Sequence, residues 1–234
     1  MFVHGWQADR SVWSDVIAAL GPEVRPITVD LAGFGDSNAV PGPYTIERFA
    51  ADLRQLIETL GVAPAIVVGH SMGGKVALRL AVDAPDALRG MVLVAPVPVN
   101  AAGFSPKGDA RLRATAGDPV AVKDWLARTI DDPSDEPILE RLCAAAAKAP
   151  REVALESFES WAHTDFADKT GAIAAPALIV APEHDTTLTE SARKLAALLP
   201  NATFLSLAGT AHYVIVERPH VIAELISKFV EDVR

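Results

Sequence analysis

Ala65-Ile66-Val67-Val68-Gly69-His70-Ser71-Met72-Gly73-Gly74 is the stretch that decides the fold. It opens as an apolar run of strand length, passes through Gly-x-Ser-x-Gly, and continues as a helical pattern over Met72–Val82. A strand that turns at once into a helix forces its middle residue into a strained backbone conformation. The residues two before and two after must then be small enough for the chain segments to pass, and Gly69 and Gly73 meet that demand. Such a turn lifts the Ser71 hydroxyl out of the sheet and puts the Met72 amide at a helix N-terminus, where developing negative charge is favoured. The motif alone is weak. A strand before it and a helix after it make Ser71 a candidate nucleophile.

Working outward, short apolar runs alternate with amphipathic stretches. Phe2-Val3, 24–29, 65–68, 91–95, 177–181 and 203–207 read as strands; 46–60 and 219–233 read as helices. Strands that are apolar throughout belong in a parallel sheet covered on both faces. The expectation is therefore an α/β fold, a mostly parallel sheet flanked by helices, with right-handed crossovers. The alternation stops between about Val97 and Ala175. Helix starts at Asp118-Pro119, Ser134 and Pro150 predict helices over 120–129, 136–148 and 151–161 instead. The reading is a core of 1–97 and 170–234 with a helical cap of 98–169. The cap would line a substrate pocket with Phe104, Trp125, Leu126, Phe158 and Trp161, and Tyr213 is a further candidate for that wall. The bland alternative for each aromatic is that it only glues helices together.

A serine hydroxyl needs a base. Of the six histidines, His212 lies between the last strand and the last helix, at the carboxyl edge of the sheet. His4 and His70 suit local hydrogen bonds, His163 falls in the cap, and His220 suits the surface of the last helix. Asp185 follows the strand 177–181 and is the candidate carboxylate partner, with Glu183 as its rival. The chain order Ser, Asp, His is that of one of the known triad arrangements. Two backbone amides, Met72 and Trp6 in His4-Gly5-Trp6, are candidates for an oxyanion hole.

With these pieces on the page, the sequence resembles the α/β-hydrolase superfamily over nearly the whole chain. The resemblance rests on Val3-His4-Gly5-Trp6, Asp30 to Ser37, Gly69 to Gly74, Asp185, and His212 with Glu217-Arg218-Pro219 behind it. It implies a cofactor-free serine hydrolase with a cap. Serine in place of aspartate at the nucleophile argues against dehalogenase or epoxide-hydrolase chemistry. What remains is ester cleavage through an acyl-enzyme, with lactonase, carbon–carbon bond hydrolase, perhydrolase or hydroxynitrile lyase as alternatives. A silent ligand-binding relative is disfavoured by the complete triad. Lys107, Arg111 and Arg113 are the cap cations that would meet an acidic substrate. Relatives usually carry about two strands before the one ending in His-Gly. Their lack here would make 24–29 a sheet edge, tolerant of Pro26 and open to pairing in a homodimer.

Composition bounds the rest. The chain has 234 residues, half of them hydrophobic, with a formal charge of −9. An acidic surface argues against nucleic acid and anionic membranes as partners. No apolar run spans a bilayer, and no signal-peptide pattern opens the chain, so a cytoplasmic protein acting on a small ester is the expectation. The single cysteine, Cys143, excludes an intrachain disulfide and reads as a buried small hydrophobe. No metal motif and no metal cofactor is indicated.

Overall fold

A computed structural model describes residues 1–233. Six parallel strands form one sheet: β1 (Phe2–Val3), β2 (Thr28–Val29), β3 (Ala65–His70), β4 (Leu88–Val94), β5 (Ala177–Pro182) and β6 (Ala202–Leu207), in the order β2-β1-β3-β4-β5-β6. Successive residues of a strand point to opposite faces, and this alternation builds two cores. Val3, Val67, Leu93 and Ile179 enter one cluster, whereas Phe2, Val68, Val92 and Val180 enter the other.

The helices are α1 (Ser14–Ala19), α2 (Ile46–Leu60), α3 (Met72–Asp83), α4 (Pro106–Ala114), α5 (Pro119–Leu126), α6 (Glu136–Ala146), α7 (Arg151–His163), α8 (Ala167–Thr170), α9 (Thr186–Leu198), α10 (Val214–Glu217) and α11 (Pro219–Asp232). Helices α2, α3 and α9 cover the first core through Phe49, Leu53, Val76 and Leu195. Helices α1 and α11 cover the second through Val16, Ile222 and Ile226. The reason α2 forms where it does is local. Ile46, Phe49, Ala50, Leu53 and Ile57 recur on one buried face, the Thr45 hydroxyl accepts from the Arg48 amide at 3.2 Å, and Gly61 ends the helix at φ +61°.

Between β4 and β5 lie α4 to α8, with no strand among the described residues. Asp118 and Asp135 cap α5 and α6, and proline stands in the first turn of both. Three features differ from expectation. The strand expected over 24–29 pairs only at Thr28 and Val29, because Arg25 and Pro26 precede the ladder, so the outer edge is two residues long. Helix α5 ends at Leu126, and α4 precedes it where no helix was expected. Leu126 turns away from the pocket into the core beneath it. Among the described residues no helix is long and apolar enough to cross a membrane.

Candidate active site

Ser71 sits at the end of β3 and caps α3 with φ +55° and ψ −118°, a conformation that a side-chain-bearing residue rarely adopts. The glycines on either side explain how it is held. A Cβ on Gly69 would lie 2.4 Å from the Gly73 carbonyl oxygen, and one on Gly73 would lie 2.5 Å from that of Val3. The Ser71 amide donates to the Val94 carbonyl at 3.0 Å, which ties the turn to β4.

His212 lies between β6 and α10, and its Nε2 is 3.0 Å from Ser71 Oγ. The ring is 8% exposed, and burial pulls its pKa down to about 4, so the imidazole is neutral and able to accept a proton near pH 7. His70 packs against it with the ring tilted by 47°, centroids 4.9 Å apart, and donates from Nε2 to the His212 carbonyl at 2.9 Å. Burial lowers His70 further, to about 3, and the neighbouring His212 adds to the shift. Glu217 accepts from the Ala211 amide and the Asp131 amide, at 2.9 and 3.0 Å, and so ties the His212 loop to the α5–α6 connection.

Asp185 ends up beside the pair but is not hydrogen-bonded to it. Its Oδ1 accepts from the Leu188 amide at 3.0 Å and caps α9, while His212 Nδ1 is buried with no partner among the described residues. Both residues border the same two cavities. Burial raises the Asp185 carboxyl, and the Leu188 and Thr187 amides pull it back. Glu183, the rival carboxylate, accepts from the Gly209 amide at 2.9 Å.

The stretch His4-Gly5-Trp6 lies against the turn, since a Cβ on Gly5 would be 3.0 Å from the Ser71 Cβ. His4 accepts from the Leu31 amide on Nε2 at 3.1 Å and faces the Gly5 carbonyl with Nδ1 at 2.8 Å, which fixes a neutral tautomer with the proton on Nδ1. The Met72 amide opens α3, where first-turn amides have no intrahelical acceptor. Trp6 lines the same cavity as Ser71, and Met72 follows Ser71 in the chain.

An apolar cavity of about 370 Å³ runs from Ser71 and His212 to the helical insertion. Phe104, Trp125 and Trp161 line it, as expected, together with Trp6. Phe158 and Tyr213 do not line it. Phe158 is fully buried behind the wall, 5.4 Å from Trp6 and 5.2 Å from Trp161. Tyr213 packs under His70 and His212. Among the lining residues, sequence reading missed Leu112 and Leu188, on helices α4 and α9 that it did not find, and Thr129, which lies past the end of α5 where it expected helix to continue. Among the described residues neither lysine nor arginine lines this cavity. Arg113 is instead paired with Asp109 and Glu159 and lies 5.1 Å over the Phe158 ring. On the other side of Asp185 and His212 a polar cleft of about 470 Å³ is lined by Arg128, Asp131, His184 and Thr187. Among the described residues no cluster of three metal-ligating side chains occurs.

Residues 1–225 match the family described as "Alpha/beta hydrolase family". A protein of Caulobacter segnis carrying the provisional name carbamate hydrolase RutD is 30% identical over 257 residues, covering 98% of this chain and 95% of its own length. A thermophilic esterase from Thermogutta terrifontis superposes with a TM-score of 0.87 at 25% identity, over 99% of this chain and 89% of that one. The enol-lactonase from Burkholderia xenovorans LB400 superposes at 0.88 and 26% identity, over 98% and 90%.

Proposed function

Because the chain belongs to the alpha/beta hydrolase family, we propose that it is a serine hydrolase that cleaves small to medium, uncharged carboxylic esters through an acyl-enzyme. The observation that carries this reading is the 3.0 Å contact between Ser71 Oγ and His212 Nε2 at the floor of a cavity that has no cationic lining among the described residues. Ser71 attacks the ester carbonyl as His212 takes its proton. The Trp6 and Met72 amides receive the developing oxyanion. His212 then passes the proton to the leaving alcohol and activates a water for deacylation. Asp185 caps α9 at the rim of the cavity that His212 also lines, and it is the carboxylate for the imidazole Nδ1 when the ring becomes charged. In that role the carboxylate orients the ring and stabilises the imidazolium without taking the proton.

The apolar wall of Trp6, Phe104, Trp125 and Trp161 supports an alkyl or aryl acyl group, and the absence of lining cations argues against an acidic one. A lactone presents the same acyl carbon, and the likeness to an enol-lactonase makes ring opening the second reading. The test is a panel of p-nitrophenyl acetate, butyrate, benzoate and monosuccinate, with lactones alongside, run on the wild type and Ser71→Ala. Neutral esters should be preferred over the acidic one, and the variant should lose roughly 10⁴-fold or more in kcat. Undiminished ester turnover by Ser71→Ala would refute the proposal.

A further inference from the structure

Four residues after Ser71 on α3, Lys75 is wholly buried. Its Nζ donates to the carbonyls of Thr164 at 2.6 Å, Trp161 at 2.8 Å and Asn100 at 3.3 Å. An ammonium has three donors, and all three are used on main-chain oxygens. No carboxylate lies within ion-pair distance of it among the described residues; Asp165 and Glu47 act on it only from further away. Burial without a close counter-charge lowers the pKa to about 8. A cation buried without a close partner is a poor way to stabilise a core, where an apolar side chain of the same length would pack at less cost.

The position of its three acceptors suggests what the lysine does instead. Asn100 belongs to the stretch by which the chain leaves the sheet after β4. Trp161 and Thr164 stand at the C-terminal end of α7, where the chain turns back toward β5. The two stretches also meet directly, through Ala102 N–H to Ala162 at 2.8 Å and Phe166 N–H to Val99 at 3.3 Å. Trp161 forms part of the cavity wall, and Phe104, two residues beyond Ala102, packs edge-on against it at 5.6 Å. The C-terminal end of α7 carries the negative end of a helix dipole, which suits an ammonium.

We propose that Lys75 is a positioning residue that sets acyl-group selectivity, by pinning both roots of the helical insertion, at Asn100 and at Trp161 and Thr164, to the helix that carries the Ser71 turn. One side chain then fixes the distance between the nucleophile and the Phe104–Trp161 wall. The selectivity that follows is one of acyl length: a group long enough to touch that wall senses the clamp, and a shorter one does not. This inference rests on Ser71 being the nucleophile for esters.

The test compares Lys75→Met, which keeps the stem and removes every donor, with Lys75→Gln, which keeps an amide donor. Two readouts are taken at pH 7. The first, hydrogen exchange without substrate, is expected to show faster exchange in 99–102 and in 161–166 for Lys75→Met, with β3 and β4 unchanged. The second is kcat and KM for p-nitrophenyl acetate and hexanoate. The hexanoate-to-acetate ratio of kcat/KM should fall about tenfold through KM, the scale of one lost charge-assisted hydrogen bond, with Lys75→Gln in between. Parallel losses on both esters, an unchanged ratio with loosened roots, or exchange that rises throughout the sheet would each overturn the proposal. Failure of both variants to fold would overturn it too, since Lys75 would then be a folding residue. If the wild type cleaves neither ester, the ester reading is what has failed, and the exchange comparison still decides the clamp: unchanged protection at the two roots refutes it.

Discussion

Acid should unfold this protein through its buried histidines, and replacing His70 with glutamine should remove that ring's share of the effect. Burial holds His70 near a pKa of about 3 and His212 near about 4, against 6.5 for an ordinary imidazole. Between those values and 6.5 the unfolded chain binds protons that the folded one refuses, so the folded state has its full stability above pH 6.5 and loses it as pH falls. At pH 5 the loss is about 2 kcal/mol for each ring, set almost wholly by the unfolded value once the folded pKa lies a unit or more lower. His4 is lowered by burial as well and adds to the loss in the same direction. The side chain of His70→Gln still offers a donor for the His212 carbonyl but does not titrate. Urea unfolding at pH 7.5 and pH 5 should therefore show the variant losing about 2 kcal/mol less than the wild type across that interval, whatever its stability at pH 7.5. Contributions from Asp9, Asp185 and Glu217 are common to both proteins and cancel in the difference. Equal losses in the two proteins would refute the argument that His70 is held neutral.

Two further outcomes follow from the geometry around Ser71. Gly73→Ala places a Cβ 2.5 Å from the Val3 oxygen and 2.6 Å from the His4 oxygen, both backbone atoms; it should cost about 3 kcal/mol or more and lower Tm by roughly 6–12 °C in a thermal scan. Asp185→Asn keeps a side-chain oxygen to cap α9, so its Tm should stay near wild type while kcat falls roughly 10³- to 10⁴-fold for want of a carboxylate at the imidazole; a variant with kcat intact would remove Asp185 from the mechanism.

The residues that were legible from sequence are those whose role is fixed by local chemistry. Gly69, Ser71 and Gly73 announce a strand-to-helix turn because an apolar run precedes them and a helical pattern follows, and α2 shows itself through its buried stripe, the Thr45 cap and Gly61. The rest depends on which neighbour wins a side chain. Phe158 and Tyr213 look like pocket residues because aromatics near a nucleophile often are, but helix facing and depth, which sequence does not carry, put them behind the wall. Helix α4 was hidden by Lys107, Arg111 and Arg113, whose charges obscure its single cavity-facing Leu112. Helix α9 was hidden because Asp185-Thr186-Thr187 reads as a loop, when Asp185 is its cap. The strand at 24–29 shrank to two residues because an apolar pattern does not say where pairing begins. Lys75 gave no sequence signal: a lone lysine in a helix reads as surface until its three carbonyl partners are seen.

The central claim, that Ser71 is a nucleophile because His212 stands 3.0 Å from its hydroxyl, is tested most directly by mapping the adduct formed with a fluorophosphonate and timing its formation. The account predicts one adduct per chain, on Ser71, forming at least about 100-fold more slowly in His212→Ala. An adduct on another residue, or equal labelling rates in the two proteins, would contradict it.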